Sequence, residues 1–318
     1  MAGPLVALAG PTAVGKTELS IELALRMNAE VVSCDSMQIY RYMDIGTAKP
    51  SPAERRGVPH HLIDIADPGE AFNVARYQEL ARRAIDGILA RGKLPLLVGG
   101  TGLYLRAATT DYLFPVPEAN WEVRERLRVQ AEEIGVQGLY EELRRVDPVA
   151  AGRIHPNDLR RIVRALEVHI LTGQPISELQ EGHEGRVFHY NPTVTICLMR
   201  NRAALYARIN ARVDRMIEMG LVDEVQWLLQ RGNKKTLTSA QATGYKEITY
   251  YLAGLCTLDE AISLIKRNTR RYAKRQITWF KKEPGVTWVN LDAFGSFSEA
   301  VENIHHLIEG KLADMKNR

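Results

Sequence analysis

GPTAVGKT, residues Gly10 to Thr17, decides the fold. It fits the phosphate-loop pattern G-x-x-x-x-G-K-S/T. LVALAG (Leu5 to Gly10) precedes it as a short apolar strand, and a helix is expected to follow from about Glu18 to Met27. That strand–loop–helix context separates it from a chance match in a glycine-containing turn. Glycines let consecutive backbone N–H groups curl around an anion. The helix start adds its dipole and its unpaired donors. Gly10, Pro11, Thr12, Ala13, Val14, Gly15, Lys16 and Thr17 would therefore cradle a diphosphate or polyphosphate, with Lys16 on the terminal phosphate and the Thr17 hydroxyl on Mg²⁺.

Working outward, strands alternate with helices. EVVSCDS (Glu30 to Ser36) reads as a second strand and HLIDIAD (His61 to Asp67) as a third. A helix is expected from about Asn73 to Arg91, with Tyr77, Leu80, Ala81, Ala84, Ile85 and Ile88 at helical spacing. LPLLVGG (Leu94 to Gly100) is continuously apolar, as in a strand covered on both faces. Such alternation predicts an α/β fold with a parallel sheet flanked by helices. From PVPE (Pro115 to Glu118) the character changes. Helices without strands are expected over 121–134, 137–146 and 157–171, up to a polar linker, EGHEGR, at 181–186. Asp158 or Asn157 can cap the last helix and Gly173 can end it. Strand character returns at TVTICLM (Thr193 to Met199), a helix should run from about Arg202 to Leu229, and VTWVNLD (Val286 to Asp292) reads as a last strand. The expected organisation is a phosphate-loop core over 1–115, an all-helical insertion over 116–186, and the rest of the core over 187–318. Two isolated late strands could not make a sheet of their own, which argues against sequential domains.

Composition narrows the class. Of 318 residues, 45% are hydrophobic and 25% charged, which excludes a disordered chain, a collagen and a coiled coil. No apolar run near the start approaches the roughly 20 residues of a membrane span. No signal or transit peptide is expected ahead of Leu5. Cys34, Cys197 and Cys256 are too widely spaced for a disulfide framework or a zinc finger, so a reduced, cytoplasmic setting is expected. The adjacent pairs His60–His61 and His305–His306, and the isolated His155, His169, His183 and His189, suggest no metal site.

The loop alone does not specify hydrolysis. Nucleotide hydrolases also want an acid at a strand end, whereas the clearest central strand ends in GGTG (Gly99 to Gly102). Asp64 could aid Mg²⁺ or simply form a turn. NKKT (Asn233 to Thr236) is no guanine-specificity motif. In parallel α/β sheets the ligand lies beyond the carboxyl ends of the strands, which places Asp35 beside the loop. There it could act as a general base, a Mg²⁺ partner or a turn cap. Charge is concentrated late in the chain. From Lys266 to Lys282 there are eight Lys or Arg residues and no acid. On a helix, Arg267, Arg270, Arg271, Lys274, Arg275 and Lys281 fall largely on one side, with Ile262, Ile265, Ala273 and Phe280 towards the core. That pattern suits an RNA phosphate backbone, the alternative being a solvated basic face.

GPTAVGKT, VVSCDSMQIYRYMDIGTAKP, GVPHHLIDI, LVGGTGLYLRA, HPNDLRRIVRALEV, TGYKE and RRYAKRQITWFKK, taken in order, resemble the signature of the tRNA dimethylallyltransferases, from Gly10 to about Lys282. The extra C-terminal zinc finger of some eukaryotic members is absent, as in the short bacterial form. The resemblance implies transfer of a dimethylallyl group from dimethylallyl diphosphate to the exocyclic amine of the adenosine on the 3′ side of the anticodon. It implies Mg²⁺, a tRNA anticodon arm as partner, no membrane, and a monomer. By the same resemblance Asp35 is the base, Thr101 a second contact to the adenine and Lys16 catalytic. Of Arg208 and Arg212, one turn apart on their helix, one is expected to hold the diphosphate, Arg208 as the favoured catalytic choice and Arg212 as the other diphosphate-binding candidate, the alternative for each being a solvated helix face. It points to tRNA contacts at Asp35, Ser36, Met37, Gln38, Thr101 and Arg124. It adds Arg160, Arg161, Ile162, Val163 and Arg164, and the segment Gln241, Ala242, Thr243, Gly244, Tyr245 and Lys246. Lys274, Arg275, Gln276, Ile277, Thr278, Trp279, Phe280 and Lys281 complete the set. Arg160 departs from the family pattern, where Gln is common. Two other readings compete. A phosphate-loop kinase explains neither the basic helix nor DSMQ (Asp35 to Gln38). A nucleotide-gated RNA-binding factor leaves Asp35 and Thr101 without a task.

Overall fold

The computed structural model describes residues 3–111, 119–180, 188–190, 193–231 and 239–316. PVPE, EGHEGR with His183, and NKKT lie outside the described residues. The chain falls into two compact units, Met1–Thr110 with Phe188–Arg318, and Asp111–Val187.

The first unit is built on one sheet. Its strands are β1 (Leu5–Ala9), β2 (Ala29–Cys34), β3 (His60–His61), β4 (Leu94–Gly99), β5 (Thr193–Met199) and β6 (Val286–Asn290). They lie in the order β3-β2-β4-β1-β5-β6, and every pairing is parallel. The expected fold class is borne out. Its helices in chain order begin with α1 (Lys16–Arg26), α2 (Pro52–Arg55), α3 (Val74–Ala90) and α4 (Gly102–Thr109). The second unit holds α5 (Trp121–Val146), α6 (Pro148–Arg153), α7 (Leu159–Thr172) and α8 (Ile176–Gln180). The first unit resumes with α9 (Arg202–Glu218), α10 (Leu221–Gln230), α11 (Tyr245–Leu252), α12 (Leu258–Phe280) and α13 (Phe297–Lys316).

Alternation along the strands feeds two cores. Leu5, Ala7 and Ala9 pack on one side with Tyr77, Ala81, Ile85 and Ile88 of α3. Val6 and Leu8 pack on the other with Leu19 and Leu23 of α1 and with Ile304 and Ile308 of α13. All five β1 residues are fully buried, as a central parallel strand requires.

Three local expectations are corrected. The third strand is only two residues long, because Leu62 (φ 62°) and Asp64 (φ 59°) turn left-handed. The long helix after Arg202 breaks at Gly220 (φ 97°), giving α9 and α10. The last strand ends at Asn290 and a short 3₁₀ turn follows. In the second unit Gly135 (φ 78°) interrupts α5, Asp158 caps α7 through Arg161 N–H, and Gly173 (φ 72°) ends it.

Glu30, at the start of β2, has a side chain only 4% exposed and takes ion pairs from Arg91 (2.6 Å), His61 (2.7 Å) and Lys93 (3.0 Å). Burial by itself would raise its pKa, but the hydrogen bonds from Arg91, His61 and Lys93 outweigh it and hold the carboxyl at about 2. Its stabilisation is therefore complete above the ordinary carboxylate value of 4.5 and is lost as pH falls towards 2. Glu30→Gln is expected to cost about 3 kcal/mol, read as a lower urea midpoint at neutral pH.

Candidate active site

The sheet register puts the chemistry in one place. Cys34 pairs with Gly99, Gly99 with Ala9, and Ala9 with Cys197. The residues that follow that transverse row are Asp35, Gly100–Thr101 and the phosphate loop, all at carboxyl ends of adjacent strands.

The loop leaves β1 through Gly10 (φ 146°), where a Cβ would sit 2.8 Å from Leu198 O. Ala13 (φ 63°) and Gly15 (φ 116°) complete the curl into α1. Its carbonyls are held by cations. Lys16 Nζ donates to Gly10 O (2.9 Å) and Pro11 O (2.8 Å). Arg208 Nε donates to Ala13 O (2.9 Å), and Arg200 Nε to Val14 O (3.1 Å). With these carbonyls engaged, the amides at the start of α1 are the groups left to face an anion. Arg212 Nη1 donates to Thr12 Oγ1 (3.4 Å). Arg208, Arg212 and Arg215, with Ala13 and Ala211, line a cavity of about 210 Å³. Burial, then the charge of Arg212, pushes Lys16 down to about 8. Burial, then the charge of Arg200, lowers Arg208, and burial, then the charge of Arg208, lowers Arg212. Crowded cations of this kind are relieved by a multiply charged anion.

On the other side of the row, Asp35 Oδ1 accepts from Met37 N (2.9 Å) and Gln38 N (3.4 Å), which makes it a turn former. Its Oδ2 has no hydrogen-bond partner among the described residues. Thr101 Oγ1 accepts from Ser36 N (3.1 Å), and Thr101 N donates to Cys34 O (3.2 Å). Thr101 Oγ1 also donates to Ser36 Oγ (3.4 Å). The Trp279 ring packs against Gly102, where a Cβ would sit 2.1 Å from it, and the Arg106 guanidinium lies over the ring at 4.8 Å. Cys34 and Cys197 flank the site, but burial pushes both thiols up to about 12 and leaves them protonated and unreactive.

The remaining sequence-predicted residues divide into inward and outward groups. Gln38 is held by Ser33 Oγ (3.2 Å) and donates to Thr47 O and Ala48 O. Tyr245 is buried, and its hydroxyl donates to Glu224 Oε1 (2.6 Å). Glu224 also accepts the amides of Asp44, Ile45 and Gly46. Ala242, Ile162, Val163 and Phe280 are buried. Along α12, Arg267, Arg271, Lys274, Arg275 and Lys281 are exposed, while Arg270 turns to Asn210 (2.7 Å). Ile265, Ala273 and Phe280 face the core, as the periodicity predicts. In the helical unit, fully buried Glu167 takes Arg124 (2.9 Å) and Arg164 (2.5 Å). Arg160 and Arg161 stay exposed, with Arg161 3.3 Å from Asp158. Asp64 is claimed by Lys49 at 2.6 Å, so it forms a turn and an ion pair. His305 and His306 do converge with Glu309, one helical turn on. That group sits on α13, and the pairwise spacing of the histidines gives no sign of it. Arg200 and Arg215 join the site without having been singled out. Arg200 directly follows β5, so the strand-end rule could have found it.

Residues 38–283 match the family described as IPP transferase, and residues 4–67 match the isopentenyl transferase family. The chain is 53% identical over 306 residues to the tRNA dimethylallyltransferase of Desulforudis audaxviator, covering 96% of this chain and 98% of that one. It is 53% identical to the protein of the same name in Symbiobacterium thermophilum, covering 97% and 96%. Among solved structures, it is similar to the full-length tRNA isopentenylpyrophosphate transferase of Bacillus halodurans (TM-score 0.74, 48% identity, 100% and 99% coverage). It is also similar to a eukaryotic dimethylallyltransferase acting on tRNA (TM-score 0.79, 31% identity, 95% and 78% coverage).

Proposed function

This chain belongs to the tRNA dimethylallyltransferase family, and on that premise we propose that it moves the dimethylallyl group of dimethylallyl diphosphate onto the exocyclic amine of the adenosine on the 3′ side of the anticodon. The observation that carries the reading is the pairing of an anion-binding loop with a carboxylate that has one oxygen free, on neighbouring strand ends. In the reaction the amine nitrogen bonds to the allylic carbon, the carbon–oxygen bond breaks, and diphosphate departs. Asp35 Oδ2 takes the amine proton. That lone pair is delocalised into the purine, so a positioned base helps. The Lys16 ammonium, Arg208, Arg212 and the loop amides take up the charge growing on the leaving group. Water is not the nucleophile, so no hydrolytic acid is needed after β4. Thr101, whose hydroxyl is bonded to Ser36, would contact the adenine.

Thr17 stands in the first turn of α1, and its hydroxyl has no partner among the described residues. With diphosphate oxygens and water it would give the oxygen-only donor set that Mg²⁺ prefers. When bound there, the ion offsets diphosphate charge.

An adenine inside a stack cannot reach Asp35. The base must be extruded, at a few kcal/mol that phosphate contacts can offset. The exposed cations of α12, with Arg160 and Arg161 of the helical unit, are suited to those contacts. A tRNA substrate supports a cytoplasmic setting. No helix among the described residues is long and apolar enough to cross a membrane. A kinase would use the loop but would account for neither the basic helix α12 nor DSMQ.

The test is incubation with tRNA, Mg²⁺ and labelled dimethylallyl diphosphate, with labelled ATP in a parallel reaction. Label should enter RNA from the diphosphate alone. Phosphate transfer from ATP to a small acceptor, or RNA binding with no transfer, would overturn the reading.

A further inference from the structure

We propose that Gln276, on the basic helix α12, is a positioning residue that ties the diphosphate loop to the turn carrying Thr101; this rests on the transfer reaction proposed above. Gln276 belongs to the face of α12 that carries Ala273 and Phe280, and it is 6% exposed among apolar neighbours. An uncharged amide buried there is costly unless both of its ends are bonded. Both are. Oε1 accepts from Thr12 N at 2.9 Å, and Nε2 donates to Gly100 O at 3.0 Å. Thr12 is the third residue of the phosphate loop, and Gly100 immediately precedes Thr101. One side chain therefore spans the two halves of the site from a third element, 176 and 264 residues away in sequence. Gly100 is part of the fit, since a Cβ there would overlap the Gln276 amide.

Only an amide satisfies both partners. A carboxylate would set an acceptor against Gly100 O and add negative charge beside the diphosphate. A lysine or arginine could not accept from Thr12 N–H. The bridge also uses up the Thr12 amide, so the diphosphate rests on the amides from Ala13 onward. Because α12 also presents Lys274 and Arg275 to solvent, its seating on the core fixes loop and turn together.

The test compares Gln276→Met with wild type in steady-state transfer, tRNA filter binding and thermal melting. Loss of alignment is expected to lower kcat at saturating tRNA by about 30-fold and to raise the KM for dimethylallyl diphosphate. The tRNA Kd should stay within about threefold, because the side chain does not reach solvent. Gln276→Glu keeps the shape and should raise the donor KM further than Met does. Unchanged kcat and donor KM in both variants, whatever the melting temperature, would overturn the proposal. So would a weakened tRNA Kd with normal kcat at saturation, which would make Gln276 an RNA contact. If Met fails to fold, Glu and Gln276→Asn, too short to span both partners, carry the same comparison. Failure of the wild type to transfer label would instead overturn the reaction itself.

Discussion

Asp35→Asn is expected to lower the single-turnover transfer rate by about 10³-fold, with dimethylallyl diphosphate and tRNA still binding within a few-fold of wild type. The substitution is chosen because Asp35 has two jobs. Its Oδ1 holds the turn through Met37 and Gln38 N–H, and an asparagine Oδ1 can accept the same bonds. Its Oδ2 is the free acceptor, and Asn replaces it with an NH₂ that cannot take a proton. Loss of rate with the turn intact therefore isolates proton acceptance. Asp35→Ala should lose the rate too, with the turn loosened as well. A near-wild-type rate in Asp35→Asn would remove Asp35 as base and leave it only the turn.

Lys16→Ala is the second large effect. Donor kcat/KM is expected to fall about 10²- to 10³-fold, with tRNA affinity unchanged. The ammonium bridges Gly10 O and Pro11 O, so its loss removes both a charge and a loop fastener. The same group sets a pH signature. Burial, then the charge of Arg212, lowers its pKa from 10.5 to about 8. Donor capture needs the ammonium, so donor kcat/KM should fall as pH rises through about 8. Folding responds in the opposite sense. Between about 8 and 10.5 the unfolded chain holds a proton that the folded one has lost, so this group's contribution to stability rises with pH. Unchanged donor kinetics in Lys16→Ala, or a flat donor profile through pH 8, would contradict the role.

Much of this was legible because local rules and the fold agree. The loop, the strands around it and the acid after β2 follow from periodicity and strand-end logic, and the family resemblance read from the motifs is borne out over nearly the whole chain. Strand order was not legible. That β4 lies between β1 and β2, which brings Thr101 next to both Asp35 and the loop, depends on pairings far apart in sequence. Charge was read by sign alone. Nothing local says that Glu167 is buried and takes up Arg124 and Arg164, or that Arg270 turns to Asn210. Gln276 sits in a run of cations and reads as one more RNA-facing polar residue. Its inward role appears only once α12 is seated on the loop.

The most direct measurement is a crystal structure with an anticodon stem-loop and dimethylallyl thiodiphosphate, whose carbon–sulfur link resists departure. The account predicts the diphosphate on the amides of the Gly10–Thr17 loop beside Lys16, and an extruded adenine with its exocyclic nitrogen bonded to Asp35 Oδ2. An adenine left stacked in the stem-loop, or an analogue seated away from the loop, would contradict it.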